Sequence, residues 1–181
     1  MLGKNLKFGQ ETSSRNSEVL HAGFYQPGSL RARLCVRGNS LIYEICNRKN
    51  IPISMLVYSV PAKLSLGKHI GLDLAHQKRI GHNAYFVDEI DYRMDETHKQ
   101  EYYDFALQYI DADIKPDDLQ PDQCGIRPEL SSDGEFRDFI IHHEVDKGFE
   151  GLINLVGIDS PGLTASPAIA EYVSEIIKDI L

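Results

Sequence analysis

The sequence predicts an α+β fold, in which consecutive strands form an antiparallel sheet and helices flank it. Three short β-rich runs follow one another at residues 55–61, 69–75 and 84–90, with turn residues between them, as in an antiparallel meander. Apolar residues at helical spacing precede this group and also end the chain. Strands that are grouped, instead of alternating with helices, indicate the α+β class.

Two helices are predicted ahead of and behind these three runs. The first follows Ser29, an N-capping residue, and continues to about Arg48, because Asn50 and Pro52 end its pattern. The second opens at Asp95-Glu96 and ends in an acidic loop. Its apolar stripe consists of Tyr102, Phe105, Ala106 and Tyr109.

The remaining segments before the last helix are predicted as loop or strand. Residues 1–28 are polar and punctuated by glycine, which predicts an extended loop that ends in a Pro-Gly turn. Further strands are predicted at 124–130, 136–141 and 152–158, the last being an apolar run typical of a buried strand.

The last helix is predicted to begin at Ser166-Pro167, a capping residue followed by proline at the first helical position. An earlier start, at Ser160, would place Pro167 in the second turn at a cost of about 3 kcal/mol. Residues 159–165 are therefore predicted to form a loop, with Thr164 as a competing cap.

Composition and charge exclude several classes of protein. The net charge is −8 and the 19 Lys and Arg residues are dispersed, so no basic patch for nucleic acid is predicted. No apolar run is long enough to cross a bilayer, and the first ten residues lack the apolar core of a signal peptide. Three cysteines without C-x-x-C spacing suit a reducing compartment, and the expected location is the cytoplasm.

A glycine-containing turn before the last helix is the most specific local motif. Gly157 and the sequence SPG (160–162) permit close backbone approach, and a helix N-terminus offers unpaired N–H groups to an anion or to the polar edge of a cofactor. An ordinary strand-to-helix turn is the alternative. Arg127, before Pro128, has a guanidinium that could hold a carboxylate, although most such arginines are only solvated.

The histidines allow a general base or a metal site. His21 lies two residues before Gly23, and a histidine side chain can act as a base near neutral pH, so it is a candidate base, with a hydrogen-bonded loop histidine as the alternative. His69 and Asp73 fall in a predicted strand, where residues four apart stand about 13 Å apart, too far for one ion. A second histidine-rich group lies at 142–146, and no metal site is predicted.

Long runs of this sequence resemble one family of flavoenzymes. They are TSSRNSEVLHAGFYQPGSLRARLCVRGNSLIYE (12–44), YSVPAKLSLGKHIGLDLAHQKRIGHNAYFVDEIDYRMD (58–95), LQPDQCGIRPEL (119–130) and GLINLVGIDSPGLTASPAIAEYV (151–173). These runs are similar to FAD-dependent L-2-hydroxyglutarate oxidases and dehydrogenases, in the D-amino-acid-oxidase-like group. The resemblance covers most of the chain.

The resemblance implies a two-domain flavoenzyme that oxidises a small 2-hydroxy acid to the 2-oxo acid by hydride transfer to FAD. It implies a partial FAD-domain segment at 1–53 and a substrate domain at 54–181, which holds the antiparallel sheet. The base is then His21, or second His69, and Arg127 holds a substrate carboxylate. The residues implied at the flavin are Ser14, Asn16, Gly157, Ile158, Ser160, Gly162, Leu163 and Thr164.

The chain also departs from that family. It contains no Gly-x-Gly-x-x-Gly unit for the FAD diphosphate, and a family segment is missing near residues 51–56. The resemblance is thus to a truncated and internally deleted form. Three hypotheses follow: an enzyme, alone or with a separately encoded N-terminal FAD-binding fragment; a non-catalytic remnant of a two-domain α/β flavoenzyme; or a small self-associating interaction module.

Overall fold

A computed structural model describes residues 5–23, 26–53, 57–58, 68–73, 75–81 and 83–180. The chain divides into two compact units, which are described separately. Unit 1 combines residues 1–51 with 127–181, and unit 2 contains residues 52–126. Helices and small antiparallel sheets make up the described part, which confirms the predicted α+β class. The predicted division at residue 53 concerns the domains of the flavoenzyme family and stays a prediction.

Helix α1 (Leu30–Lys49) begins and ends where the sequence predicts. The Ser29 hydroxyl accepts the N–H of Ala32 at 3.1 Å and so satisfies one of the unpaired donors of the first turn. Asn50 takes the left-handed conformation, and the N–H of Ile51 returns to the carbonyl of Cys46 at 2.9 Å. Local capping chemistry therefore fixes both ends of this helix.

Helix α3 (Gly162–Ile180) begins five residues before Pro167, the predicted first helical position, so the prediction of a loop over residues 159–165 is wrong for its second half. Pro167 lies inside the helix and cannot donate to the carbonyl of Leu163. The hydroxyl of Ser166 donates to that carbonyl instead, at 2.8 Å. This bond replaces the missing backbone bond and explains why proline is tolerated there.

The core of unit 1 lies where α1 and α3 pack against each other. Gly38 of α1 is buried at the crossing, and a Cβ added there would overlap the carbonyl oxygen of Thr164 and stand 2.7 Å from Cα of Ala165. Only glycine lets the two backbones approach this closely. The buried members of the core are Leu34, Phe139, Ala165, Ala168 and Ile169.

Two antiparallel strands, β4 (Ile140–His143) and β5 (Ile153–Val156), complete unit 1. Ile140 pairs with Val156 and His143 with Ile153. A 3₁₀ turn, Glu144–Lys147, follows β4 and ends at Gly148, which takes a positive φ of 81°. The predicted strands at 136–141 and 152–158 overlap β4 and β5, although β4 begins later than predicted.

Unit 2 contains a three-stranded antiparallel sheet of β1 (Val57–Tyr58), β2 (His69–Leu72) and β3 (Lys78–Gly81), in that order. The first two lie within predicted strands, although residues 54–56 and 59–61 fall outside the described part. The prediction of a strand at 84–90 is wrong: that segment is irregular, and β3 precedes it. The prediction of a strand at 124–130 is also wrong, because that segment is irregular.

Helix α2 (Lys99–Tyr109) of unit 2 confirms the second predicted helix. A 3₁₀ turn, Glu96–His98, leads into it, and the carboxylate of Asp95 accepts the N–H of Thr97 at 2.9 Å. Phe105 and Ala106 are the buried residues of the predicted apolar stripe.

Candidate functional site

The N-terminal segment and the loop before α3 meet at His21. Its backbone N–H donates to the hydroxyl oxygen of Thr164 at 3.2 Å, and this hydroxyl donates to the carbonyl of Val19 at 3.3 Å. Nε2 of His21 lies 3.3 Å from the hydroxyl oxygen of Ser160. We call His21, Ser160 and Thr164 the His21 cluster. His21 is 139 positions from Ser160 and 143 from Thr164 in the chain, yet all three residues are selected from the sequence.

Helix α1 holds the backbone of His21 from the opposite side. Nδ2 of Asn39 donates to the His21 carbonyl at 2.9 Å, and Sγ of Cys35 lies 3.5 Å from the same oxygen. Burial raises the pKa of the Cys35 thiol to about 11, so this thiol stays protonated at neutral pH. Three bonds to its backbone therefore fix the backbone of His21, and the residue as a whole is partly buried.

The loop before α3 owes its path to two glycines. Gly157 has a positive φ of 68°, and a Cβ there would overlap the side chain of Leu130. A Cβ on Gly162 would stand 2.6 Å from Cγ2 of Ile158. Both glycines are thus required by packing within this chain, in addition to any ligand that approaches the loop.

The first turn of α3 presents backbone donors. The N–H of Gly162 donates to the carbonyl of Asp159 at 2.5 Å, and that of Ala165 donates to Pro161 at 2.9 Å. Within the described residues, no acceptor pairs with the N–H groups of Leu163 and Thr164. Unpaired amides at a helix N-terminus suit an anion or a carbonyl oxygen.

A buried carboxylate lies in the same loop and was not selected from the sequence. Asp159 is 6% exposed, and its Oδ1 is 2.6 Å from Nη2 of Arg31. Its Oδ2 is 4.0 Å from Nε of Arg127, a residue whose side chain is about half exposed. Burial raises the pKa of the Asp159 carboxyl, and the guanidinium of Arg31 acts in the opposite direction. Arg127, selected from the sequence as a carboxylate binder, thus lies beside the loop.

Arg31 is the nearly buried member of this group. Nη1 donates to the Ser160 carbonyl at 3.3 Å and Nη2 to the Arg137 carbonyl at 2.8 Å. The guanidinium carbon also lies 4.8 Å from the ring centroid of Phe139, within the range of a cation–π contact. Arg31 therefore joins α1 to the segment that precedes α3.

Ser14 and Asn16 lie in or next to a short 3₁₀ turn, Thr12–Ser14, and bond to nearby backbone. The Ser14 hydroxyl donates to the carbonyl of Glu11 at 2.9 Å, and Nδ2 of Asn16 donates to Ser13 at 2.7 Å. Their predicted role at the flavin stays a prediction.

His69, the second candidate base, belongs to unit 2. It opens β2, is buried, and pairs across the sheet with Gly81. Asp73 closes the turn that follows, because its Oδ1 accepts the N–H groups of Ala75 and Gln77, each at 2.8 Å.

The histidine-rich group at 142–146 forms a compact polar cluster. The ligand atoms of His142, Glu144 and Asp146 all lie within 4.8 Å of one another. Both carboxylate oxygens of Glu144 have partners within the protein. Nζ of Lys147 lies 2.5 Å from Oε2, and Nδ2 of Asn154 donates to Oε1 at 2.8 Å. These bonds lower the pKa of the Glu144 carboxyl. As it stands, the cluster is an ion-pair network.

Fold and site together define an α+β protein in which a polar helix N-terminus, a histidine and the half-exposed Arg127 suit a small anionic ligand. In the described part of the chain, no helix is both long and apolar enough to span a membrane. Comparison with protein families assigns the class more closely. The chain belongs to the FAD dependent oxidoreductase family, DAO, which matches residues 56–176.

Similar curated proteins are named L-2-hydroxyglutarate dehydrogenase, mitochondrial. The protein of Arabidopsis thaliana is 34% identical over 161 residues, which are 83% of this chain and 32% of the relative. That of Dictyostelium discoideum is 46% identical over 52 residues, 28% of this chain and 12% of the relative. The protein of Mus musculus is 56% identical over 41 residues, which are 22% of this chain and 9% of the relative.

These similarities confirm the resemblance to D-amino-acid-oxidase-like, FAD-dependent oxidoreductases of the L-2-hydroxyglutarate dehydrogenase type. The chain spans about a third of the length of the Arabidopsis relative.

Proposed function

We propose that this chain forms the flavin-ring and substrate side of an FAD-dependent oxidoreductase of the L-2-hydroxyglutarate dehydrogenase type. The reaction is the oxidation of a 2-hydroxy acid to the 2-oxo acid. The hydrogen on Cα leaves as a hydride with two electrons, and the hydroxyl proton leaves to a base. The family assignment and the names of the relatives support this choice of reaction.

The His21 cluster is the observation that carries the proposal. The family resemblance implies a role for His21 at the reacting site and for Ser160 and Thr164 at the flavin, from two separate segments. Those segments are in direct contact, through the bonds from His21 to Thr164 and between His21 and Ser160. The contact supports a common site for cofactor and substrate.

The residues of the loop fit the ring end of FAD. The unpaired amides of Leu163 and Thr164 can donate to the ring carbonyl oxygens, and residues 157–164 are the proposed contact loop for the ring. Ser14 and Asn16 are the proposed contacts from the N-terminal segment. When bound, FAD supplies a two-electron acceptor for the hydride of the substrate. The sequence contains no Gly-x-Gly-x-x-Gly turn for the diphosphate.

His21 is the proposed general base. A neutral imidazole accepts a proton at Nε2 near neutral pH, and the three bonds to the backbone of His21 hold the residue beside the loop. The Ser160 hydroxyl, 3.3 Å away, can turn its hydrogen toward or away from Nε2 as the protonation state changes. His69 is the second candidate for the same role.

Arg127 is the proposed carboxylate-binding residue. Its half-exposed guanidinium offers parallel N–H donors that match the two oxygens of a carboxylate. Two such contacts fix the orientation of the substrate Cα–H, which favours hydride transfer.

The test begins with FAD binding by the purified chain, measured by flavin fluorescence. Added L-2-hydroxyglutarate is then expected to bleach the bound flavin under anaerobic conditions. A chain that binds FAD but is not bleached contradicts the oxidoreductase proposal. A chain that takes up no FAD, alone or with a fragment of the Arabidopsis relative that carries the unmatched region, favours the alternative, a non-catalytic remnant.

Two further proposals concern the surroundings of the protein. A separately encoded FAD-binding fragment is the proposed partner, and co-purification with the tagged chain tests it. The proposed location is the cytoplasm, which fluorescence microscopy of the tagged chain tests directly.

A further inference from the structure

The carboxylate of Asp159 lies between two guanidinium groups, with one oxygen facing each. Oδ1 is 2.6 Å from Nη2 of Arg31, whereas Oδ2 faces Nε of Arg127 at 4.0 Å. The side chain of Arg31 is 12% exposed, and that of Arg127 is 47% exposed. The carboxylate thus connects a buried arginine to one that reaches solvent.

Burying an ionised carboxylate is costly unless charged partners and hydrogen bonds compensate. Arg31 supplies the opposite charge, which offsets part of this cost, and is itself fixed by the carbonyls of Ser160 and Arg137 and by the ring of Phe139. Asp159 is therefore held in one position. Its second oxygen is left to act on Arg127.

Arg127 has a different environment from Arg31. Among the described residues, no oxygen accepts a hydrogen bond from its guanidinium, and its charged neighbour is Asp159. The guanidinium is a rigid plane with donors on two edges. When Nε faces Asp159, the edge formed by Nη1 and Nη2 remains available to a ligand.

We infer that Asp159 is a positioning residue for Arg127: it turns the Nη1–Nη2 edge toward the substrate carboxylate, and Arg31 holds Asp159 in place. This inference rests on the proposed function, in which Arg127 binds that carboxylate. It adds a residue that does not touch the substrate and still determines how the substrate is oriented.

The direction in which anion affinity changes when Asp159 is neutralised distinguishes a positioning role from a purely electrostatic one. If Asp159 acted only through its charge, its neutralisation would strengthen the binding of an anion, because a like charge is removed. If it positions Arg127, neutralisation weakens binding, since the guanidinium loses its orientation. Asp159→Asn keeps the shape of the side chain and removes the charge, so it distinguishes these two effects.

The experiment measures the dissociation constant of glutarate by calorimetry on the full chain. Glutarate carries two carboxylates and no reacting hydroxyl, so its binding does not depend on turnover. Arg127→Ala is expected to weaken binding about 10- to 100-fold, the range for a lost bidentate ion pair. Asp159→Asn is expected to weaken it about 10-fold, because orientation is lost while the donors remain.

Two controls accompany these variants. Asp159→Glu keeps the negative charge. Its dissociation constant for glutarate is expected to stay within about threefold of that of the original chain, because the carboxylate still reaches Arg127. The double variant Asp159→Asn/Arg127→Ala is expected to bind like Arg127→Ala alone, because one residue acts through the other. Asp133→Asn, an exposed carboxylate that pairs with Arg137, is the matched control for charge removal.

The possible outcomes are distinct. If the original chain does not bind glutarate, or Arg127→Ala binds it equally well, the role of Arg127 is wrong and the inference fails with it. If Arg127→Ala weakens binding and Asp159→Asn does not, only the positioning inference is overturned. Should Asp159→Asn fail to fold, Arg31→Lys replaces it: about fivefold weaker binding supports the inference and unchanged binding overturns it.

Discussion

The carboxylate of Asp138 accepts the backbone N–H of Arg31 at 2.8 Å, across a separation of 107 positions in the chain. Its other oxygen accepts the N–H of Leu30 at 2.6 Å. A negative charge from a distant segment therefore caps the positive end of α1, beside the serine cap that the sequence itself supplies. The same contact places Arg31 so that its side chain reaches Asp159.

Asp138→Ala is expected to lower the free energy of unfolding by about 1–2 kcal/mol, because two charge-assisted bonds to the first turn of α1 are lost. Urea denaturation measures the difference. Asp113→Ala, in an exposed loop of unit 2, is the control and is expected to stay within about 0.5 kcal/mol. Equal effects of the two substitutions would contradict the capping role.

Gly38→Ala is expected to destabilise the chain by about 1–3 kcal/mol, because the added Cβ overlaps the backbone of α3 at Thr164. Helix propensity alone predicts the opposite sign, a gain of about 1 kcal/mol. Thermal unfolding decides between them. Ser40→Ala, on the exposed side of the same helix, is the control for propensity.

Ser166→Ala is expected to cost about 0.5–1.5 kcal/mol, because the carbonyl of Leu163 loses the hydroxyl that replaces a backbone donor. In a chain that also carries Pro167→Ala, the restored N–H can bond this carbonyl. The cost of the serine substitution is then expected to fall toward zero. A double-mutant cycle measures the coupling, and additive effects would show that the hydroxyl has no such role.

The bonds from Lys147 and Asn154 hold the pKa of the Glu144 carboxyl below its usual range. A lowered pKa in the folded state means that the ionised form stabilises the fold at neutral pH. This stabilisation is lost as the pH falls below the ordinary value, about 4.3, and through the lower folded value.

Glu144→Gln is therefore expected to flatten the loss of stability between about pH 5 and pH 2. Denaturant unfolding across this range measures it, with the exposed Glu135→Gln as the control. An unchanged pH profile for Glu144→Gln would show that its ion pair does not contribute to stability.

His21→Gln tests the proposed base without removing the anchored backbone. Turnover of L-2-hydroxyglutarate is expected to fall about 10²- to 10⁴-fold, the usual contribution of a general base. Glutarate binding, which needs no proton transfer, is expected to change little. The parallel substitution His69→Gln distinguishes the two candidate bases. Only the substitution of the catalytic base should reduce turnover and leave glutarate binding nearly unchanged.

Local chemistry made α1 and α2 predictable. The bond from Ala32 to Ser29, the left-handed Asn50 and the Asp95 cap act within a few residues, so the sequence pattern contains them. The start of α3 was mispredicted because the rule against internal proline does not include the hydroxyl of Ser166, which satisfies the carbonyl that Pro167 leaves open.

Strand positions and the charged part of the site depended on distant partners. AYFVDEI (84–90) has β-forming residues, yet the described strand is the more polar Lys78–Gly81, which pairs with β2 across a short turn. His21, Ser160, Thr164 and Arg127 were selected through family resemblance; the first three lie in contact, and the roles of all four stay predictions. Asp159 and Arg31 were not, because no local pattern signals an ion pair between residues so far apart.

Unit 1 is assembled from the two ends of the chain, and this arrangement affects its synthesis. Leu30 and its capping residue Asp138 are separated by 108 positions, and the α3 residues that cover α1 come later still. Ribosomes add about 5–20 residues per second, so α1 leaves the ribosome about ten seconds before its packing partners exist. During that interval its apolar face is available to chaperones, because the segments that bury it are made more than a hundred positions later.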